Sequence, residues 1–130
     1  MRRARQLTDL QTAVMRVLWQ QGEATVVQVH AALREERRLA MTTVATLLSR
    51  LEKYGFLTHR AEGRQYVYRP LVSQGEVRQS QVAGLIDQLF QGNPADLMYH
   101  LINESEVEDE DLARVVALIE SKEREEGDGN

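Results

Sequence analysis

A set of hydroxyl and cationic side chains between positions 42 and 53 is the part of the sequence best suited to binding chemistry. The set consists of Thr42, Thr43, Thr46, Ser49, Arg50 and Lys53. On a helix, which turns about 100° per residue, these side chains fall on or beside one face, and no acidic residue lies among them. Hydroxyl groups hydrogen-bond to phosphates and base edges, threonine methyls contact thymine methyls, and Arg or Lys suits phosphate or guanine. The composition of this face predicts binding to double-stranded DNA.

The three histidines do not suggest a metal site or a catalytic site. His30, His59 and His100 are far apart in the sequence and lack the short spacing of zinc ligands. The chain contains no cysteine, which excludes thiolate metal sites, disulfides and cysteine nucleophiles. We find no Ser–His–acid motif and no phosphate-binding glycine loop. We therefore expect a protein that is not an enzyme and that needs no cofactor or metal.

The charge of the chain is strongly polarised, although its net value is only −4. Residues 1–70 carry twelve Lys or Arg against six Asp or Glu, a balance of +6, whereas residues 71–130 carry four against fourteen, a balance of −10. A basic first half suits nucleic acid, and an acidic second half suits a different partner. The acidic run Glu104–Asp111 lacks the spaced ligands and central glycine of an EF-hand, so we interpret it as the start of a helix.

The sequence contains no segment that predicts insertion into a membrane. Its longest aliphatic run, Val115–Ile119, is far shorter than the ~18 residues that a spanning helix needs. The opening Met1–Arg5 is basic and no apolar stretch follows it, so we interpret it as a tail rather than a signal peptide. We expect a cytoplasmic protein.

Three short helices are predicted in the first half of the chain. The first two begin at capping boxes, Thr8–Gln11 and Thr25–Gln28, in which a hydroxyl accepts from the backbone of the first turn. The third begins near Met41 with a threonine as its cap, repeats apolar residues at helical spacing and ends at Tyr54-Gly55. This spacing turns the polar face of the third helix outward.

A β-hairpin is predicted after the third helix. Its strands cover Phe56–Arg60 and Gln65–Arg69, with a glycine-containing turn at 61–64, and Pro70 ends the second strand. Three helices followed by a hairpin form a winged helix-turn-helix, in which the third helix enters the major groove and the hairpin lies along the backbone.

The side chains of the hairpin are expected to divide between DNA contact and the core. Arg60, Arg64 and Arg69 place cations on the wing, and we take Arg60 and Arg64 as candidate DNA contacts. Tyr66 and Tyr68 share one face of a strand. We expect both rings to close the small core rather than to stack on bases, because helix-turn-helix proteins read paired DNA.

Helices with apolar stripes are predicted throughout the second half. They begin after Ser73, after Asn93 and between Ser105 and Asp111, and the charged tail from Lys122 is expected to fray. These stripes exceed what one small chain can bury, so we predict a dimer interface. Its candidates are Leu85, Leu89, Leu97, Leu101, Leu112, Val115 and Ile119. The predicted fold is mainly α (α+β), with a DNA-binding domain at 1–70 and a helical dimerisation domain at 71–130.

Several stretches of the chain resemble the BlaI/MecI/CopY family of bacterial penicillinase and copper-homeostasis repressors. These stretches are Leu18-Trp19, Thr25–Leu33, Met41–Leu51, Gly55–Leu57 and Gly63–Pro70. The similarity covers about residues 7–122. It implies transcriptional repression by a homodimer, with each winged helix on one half-site of a palindromic operator and a C-terminal helical region that interlocks with its twin.

The chain departs from the family where the inducing signal acts. Copper-responsive members carry a C-terminal cysteine cluster, and this chain has no cysteine. Members that respond to β-lactams are cut at an Asn-Phe bond by a protease linked to a membrane sensor, and the roughly corresponding bond here is His100-Leu101. Release from DNA by such a protease, or by a ligand in a pocket, stays open.

A second function is compatible with a winged helix. The same fold also serves as a protein-interaction module without DNA binding. A helix that faces a protein more often exposes an aromatic or apolar anchor, whereas this outer face is hydroxylated and cationic. The sequence therefore favours repression.

Overall fold

The computed structural model of the chain describes residues 6–128, and the basic tail predicted at Met1–Arg5 lies outside them. Its elements in chain order are α1 Asp9–Gln21, β1 Ala24–Thr25, α2 Val26–Leu33, α3 Met41–Lys53, β2 Leu57–Glu62, β3 Gln65–Pro70, α4 Gln74–Phe90, α5 Pro94–Glu104 and α6 Asp109–Asp128. This order confirms the predicted winged helix-turn-helix followed by a helical region.

The two predicted capping boxes are present. Thr8 Oγ1 accepts from the Gln11 N–H at 3.2 Å, and Gln11 Oε1 accepts from the Thr8 N–H at 3.0 Å. Thr25 and Gln28 repeat this exchange at the start of α2. Gly22 ends α1 with φ +83°, a left-handed conformation that favours glycine. Both helices therefore begin where local chemistry satisfies their first N–H groups.

The start of α3 differs from the prediction. Ala40 is the N-cap and provides no side-chain hydrogen bond, so the expected threonine cap is wrong. Thr43 already lies inside the first turn, because its N–H and that of Val44 both donate to the Ala40 carbonyl, at 3.0 and 3.2 Å. The threonines of this turn are thus helical residues whose side chains remain at the surface.

The sheet has the strand order β1-β3-β2, and both pairings are antiparallel. The β2–β3 register runs from Leu57 opposite Pro70 to Glu62 opposite Gln65, which leaves a two-residue turn where four residues were predicted. Gly63 supplies the turn with φ +61°. The two-residue strand β1 was not predicted, because so short a segment shows no alternation of polar and apolar residues.

The core lies between the first three helices and the inner face of the sheet. Fully buried side chains come from α1, α2, α3 and β2, and they include Met15, Leu18, Val29, Leu33, Val44, Leu48, Leu51 and Leu57. Burial of a large aliphatic side chain contributes about 1.5–3 kcal/mol to stability. The apolar stripes of the sequence therefore face one another as the periodicity predicts.

The first turns of α4 belong to the same packed unit as the winged helix. Val77 is buried in its core, the Trp19 Nε1–H donates to the Val72 carbonyl at 2.9 Å, and the Leu7 N–H donates to Gln81 Oε1 at 3.0 Å. The chain divides into two compact units between Leu85 and Ile86. The assignment of 1–70 to DNA binding and 71–130 to dimerisation stays a prediction.

The second unit consists of the end of α4 with α5 and α6. Asn93 caps α5 through Oδ1, which accepts from the Ala95 N–H at 2.9 Å, and Pro94 opens the helix as predicted. Among the described residues after Val77 no side chain is buried.

Every helix in the described part of the chain is too short or too polar to span a lipid bilayer.

The structure differs from the sequence prediction at the end of α6. The helix continues to Asp128, where a frayed tail was expected from Lys122. Residues 122–126 are Lys, Glu and Arg, which all have good helix propensity, and the first glycine after them is Gly127.

Candidate nucleic-acid interface

The predicted DNA-binding face is displayed on the outer side of α3. Its six residues are all exposed, namely Thr42, Thr43, Thr46, Ser49, Arg50 and Lys53. Val44, Leu48 and Leu51 are buried on the opposite side of the helix, and this burial fixes the orientation of the outer face. The structure therefore brings these six predicted residues together on one element. Their role in contacting DNA stays a prediction.

The polar groups of this face remain largely available to a ligand. Within residues 6–128, Arg50 and Lys53 form no ion pair. The Thr46 hydroxyl donates to the Thr42 carbonyl at 2.9 Å, which leaves its oxygen free to accept. The face thus offers two uncommitted cations and several hydroxyl groups. This is the chemistry that phosphates and base edges require.

The two candidate cations of the wing differ in their surroundings. Arg64 lies exposed in the turn between β2 and β3, and it has no ion-pair partner in the described part of the chain. Arg60 donates to both carboxylate oxygens of Glu23, at 2.7 and 3.0 Å, and to Glu62 at 3.2 Å. The hydrogen bonds with Glu23 raise the pKa of Arg60 and lower the pKa of Glu23. Arg60 is therefore already occupied, whereas Arg64 is free to reach a phosphate.

Only one of the two tyrosines of β3 closes the core. Tyr68 is 5% exposed, as expected, and burial raises the pKa of its hydroxyl, with the charge of Glu52 as a second cause. Tyr66 is 51% exposed, so the prediction that it belongs to the core is wrong. It lies beside the hairpin turn, beyond the buried part of the sheet, and its ring stacks on His59 with centroids 4.2 Å apart.

Sequence reasoning missed two features of this surface. The ion pair between Glu23 and Arg60 joins residues 37 positions apart, so no local sequence pattern predicts it. The loop between α2 and α3 carries three arginines, Arg34, Arg37 and Arg38, and that run was itself a signal in the sequence. Among the described residues, no group of three or more His, Asp or Glu side chains is placed to hold a metal ion.

The candidate dimer residues lie at the surface of their helices. Five are exposed, Leu85, Leu89, Leu101, Val115 and Ile119, and two are half-buried, Leu97 and Leu112. The candidate cleavage bond His100-Leu101 lies inside α5, and the His100 ring contacts Phe90 at a centroid distance of 5.9 Å. A protease would therefore have to unwind part of α5 to cut there. These assignments stay predictions.

Comparison with known proteins identifies the family. The family described as penicillinase repressor matches residues 7–121. The transcriptional regulator BlaI of Mycobacterium tuberculosis is 37% identical over 122 residues, which cover 88% of this chain and 86% of that protein.

Two solved structures resemble more than half of the chain. The solution structure of the DNA binding domain of the repressor BlaI is 32% identical, with a TM-score of 0.52, and the match covers 58% of this chain and 93% of that one. The Bacillus licheniformis BlaI monomeric form, solved in complex with the blaP half-operator, has the same identity and coverage and a TM-score of 0.50. Because the family match spans most of its length, the chain belongs to the penicillinase repressor family.

Proposed function

We propose that this protein represses transcription as a homodimer that binds a palindromic operator, with α3 of each protomer in the major groove of one half-site. The coarser part of this statement follows from the family, since its members are DNA-binding transcriptional repressors. The use of two protomers, the symmetric operator and the residues at each contact are our inference.

The observation that carries the proposal is the outer face of α3. A major groove about 12 Å wide admits one helix, and a helix that enters it must offer hydrogen-bonding groups along one side. Thr46, Ser49, Arg50 and Lys53 form such a side, and Arg64 extends the cationic surface onto the wing. A similar domain, 32% identical, was solved on a half-operator. The rival function as a protein-interaction module fits less well, because no aromatic residue lies on α3.

The exposed apolar side chains of the second unit support the homodimer. Leu89 is 64% exposed and Ile102 is 60% exposed, although amphipathic helices owe most of their stability in water to the covering of an apolar face. A second copy of the chain would cover these faces with the same residues, as a two-fold interface requires. Two linked winged helices would then bind two half-sites with a gain from effective concentration.

Release of the operator requires a signal that acts on the bound repressor. We favour either cleavage near His100-Leu101, by a protease linked to a membrane sensor, or a ligand that binds the repressor. Cleavage there would separate α6 from the rest of the chain and weaken dimerisation. We expect either event to take place in the cytoplasm, where the bacterial chromosome lies. We expect the repressor to need no cofactor for it.

A binding titration over salt concentration tests the proposal. The operator is first identified by chromatin pull-down, and the affinity of the full chain for that duplex and for an unrelated duplex of equal length is then measured by fluorescence anisotropy. We expect tight binding to the operator that weakens steeply between about 50 and 200 mM salt, because each neutralised phosphate releases counterions. Absence of binding to either duplex at low salt would replace repression by the protein-interaction module.

A further inference from the structure

The loop between α2 and α3 contains cations that the proposed interface does not use. Arg34, Arg37 and Arg38 line an open hollow of about 480 Å³ together with His30 and Leu39. Within residues 6–128, none of the three guanidinium groups forms an ion pair or a hydrogen bond. Three permanently charged groups thus lie close together without a partner among the described residues.

The acidic residues of the same loop do not neutralise this cluster. Glu36 faces Arg16 of α1, with Oε1 and Nη1 3.9 Å apart. Among the residues that line the hollow, Glu35 is the one that carries a carboxylate. The hollow therefore presents three cations against a single anion, and this excess attracts a negatively charged ligand.

The backbone of the loop is held in place at both ends. The Arg37 N–H donates to the Leu33 carbonyl at 2.7 Å, which extends the last turn of α2. His30 Nε2 lies 2.9 Å from the Leu39 carbonyl, and because a carbonyl only accepts, the imidazole donates. Leu39 packs against the core. The arginines therefore project from an ordered segment, so that a ligand does not have to order the loop.

The guanidinium group of Arg37 includes an unsatisfied donor. Its Nε is shielded from solvent and has no hydrogen-bond acceptor in the described part of the chain. A phosphate oxygen is an acceptor with the charge and geometry that a guanidinium group binds best. Because no carboxylate in the described part of the chain holds this guanidinium group, its charge remains available to a phosphate at the hollow.

We propose that Arg34, Arg37 and Arg38 bind backbone phosphates of duplex DNA beside the groove segment occupied by α3. The proposal rests on the DNA binding proposed above and extends it to a third surface, besides α3 and the wing. Arg38 lies only three residues before Met41, the first residue of α3, so the loop continues directly into the candidate recognition helix. Contacts to phosphate carry no base information, so this loop would position the protein on any sequence.

The test compares two double variants of the full chain. Arg37→Gln with Arg38→Gln removes two charges from the loop, and Arg78→Gln with Arg124→Gln removes two charges from exposed arginines of α4 and α6 as the matched control. Circular dichroism and thermal melting establish that each variant folds. Affinity for the operator duplex and for an unrelated duplex of equal length is measured over a salt series.

We expect the loop variant to bind both duplexes more weakly by the same factor. The slope of log affinity against log salt should become shallower by about 0.9 for each phosphate that the variant no longer neutralises, whereas the control keeps the parent slope. Neutral methylphosphonate groups can replace the phosphates beside the part of the groove that α3 occupies. This replacement should weaken DNA binding by the parent chain and leave binding by the loop variant nearly unchanged.

Other results would overturn the proposal. An unchanged slope in a folded loop variant, with normal binding by the parent chain, would refute the phosphate contacts while the repressor function stands. Weaker binding to the operator alone would show base contacts instead. If the parent chain bound neither duplex at low salt, the proposed function itself would fail.

Discussion

Nδ1 of His59 lies 2.7 Å from the carboxylate oxygens of Glu52, so that a hydrogen bond ties strand β2 of the wing to the last turn of α3. Both side chains are about one-third exposed. The His59 ring also stacks on Tyr66 at 4.2 Å. The hairpin and the candidate recognition helix are thereby fixed to each other by side chains as well as by the core.

Breaking this bond should loosen the wing. His59→Phe keeps an aromatic ring for the stack on Tyr66 but removes the donor to Glu52, so we expect a decrease of about 1 kcal/mol in the free energy of unfolding. Thermal unfolding should show a melting temperature lower by roughly 2–8 °C. Tyr66→Phe, which keeps the stack, is the control, and equal melting temperatures for all three proteins would refute the link.

The ion pair between Glu23 and Arg60 should restrain DNA binding by the wing. Glu23→Gln removes a negative charge and frees the Arg60 guanidinium, so we expect tighter binding to operator and unrelated duplexes alike, with a steeper salt dependence. Glu62→Gln, whose parent residue accepts a single hydrogen bond at 3.2 Å, should have a smaller effect. Unchanged affinity in Glu23→Gln would remove Arg60 from the candidate contacts.

The ion pair between Glu23 and Arg60 should persist at a lower pH than an ordinary glutamate pair. The hydrogen bonds with Arg60 hold the pKa of Glu23 below its ordinary value, so the carboxylate stays charged as the pH falls through the normal glutamate range. The pair is therefore present above the ordinary pKa and is lost only as the pH falls through the lowered one. Titration of the Glu23 carboxyl by NMR should give a lower midpoint in the parent chain than in Arg60→Gln. Equal midpoints would contradict the pairing in solution.

The residues of α3 and of the wing should contact different parts of the DNA, bases in the first case and phosphates in the second. Arg50→Ala and Thr46→Ala should each weaken operator binding by about 1–3 kcal/mol if they contact bases, with little change on unrelated DNA. Arg64→Ala should weaken both duplexes alike, because a phosphate contact is independent of sequence. Competition titrations separate these outcomes. Equal weakening on both duplexes would reduce Arg50 and Thr46 to phosphate contacts.

The sequence predicted the elements whose signals are local. The exchange of hydrogen bonds between Thr8 and Gln11 spans three residues, and the sequence contains everything that it requires. The strand β1 has only two residues and exists because β3 pairs with it, so its cause lies more than forty positions away. The prediction of a threonine cap was wrong because more than one position near residue 41 offers a hydroxyl, and the sequence does not determine where the helix begins. In the structure Ala40 is the N-cap.

The candidate site was predicted where periodicity determines it and missed where tertiary contacts do. The outer face of α3 follows from the buried positions of the same helix, and the structure displays it as expected. The exposure of Tyr66 depends on how far the hairpin extends beyond the core. Alternation along a strand predicts which face a side chain lies on, but it does not predict where along the strand the core ends. The change of charge after Pro70 indicates a boundary there, whereas Val77 lies beyond Pro70 and is buried in the core of the first unit.

The exposed apolar face of α6 should be required for dimerisation. Val115→Asp places a charge in the proposed interface, and each 1.4 kcal/mol removed from the association free energy weakens binding about tenfold. Sedimentation at micromolar concentration should then give a monomer, whereas Ser121→Asp, an exposed polar position of the same helix, should remain a dimer. A dimeric Val115→Asp would exclude this face from the interface.

The stoichiometry of the protein on its operator tests the central claim most directly. The full chain is titrated into the operator duplex at a concentration well above the dissociation constant, and the mass of the complex is measured by sedimentation at each ratio. We predict that the titration saturates at two protomers per palindromic duplex and that an unrelated duplex of equal length gives no discrete complex. Saturation at one protomer, or equal binding to both duplexes, would contradict a homodimeric, sequence-specific repressor.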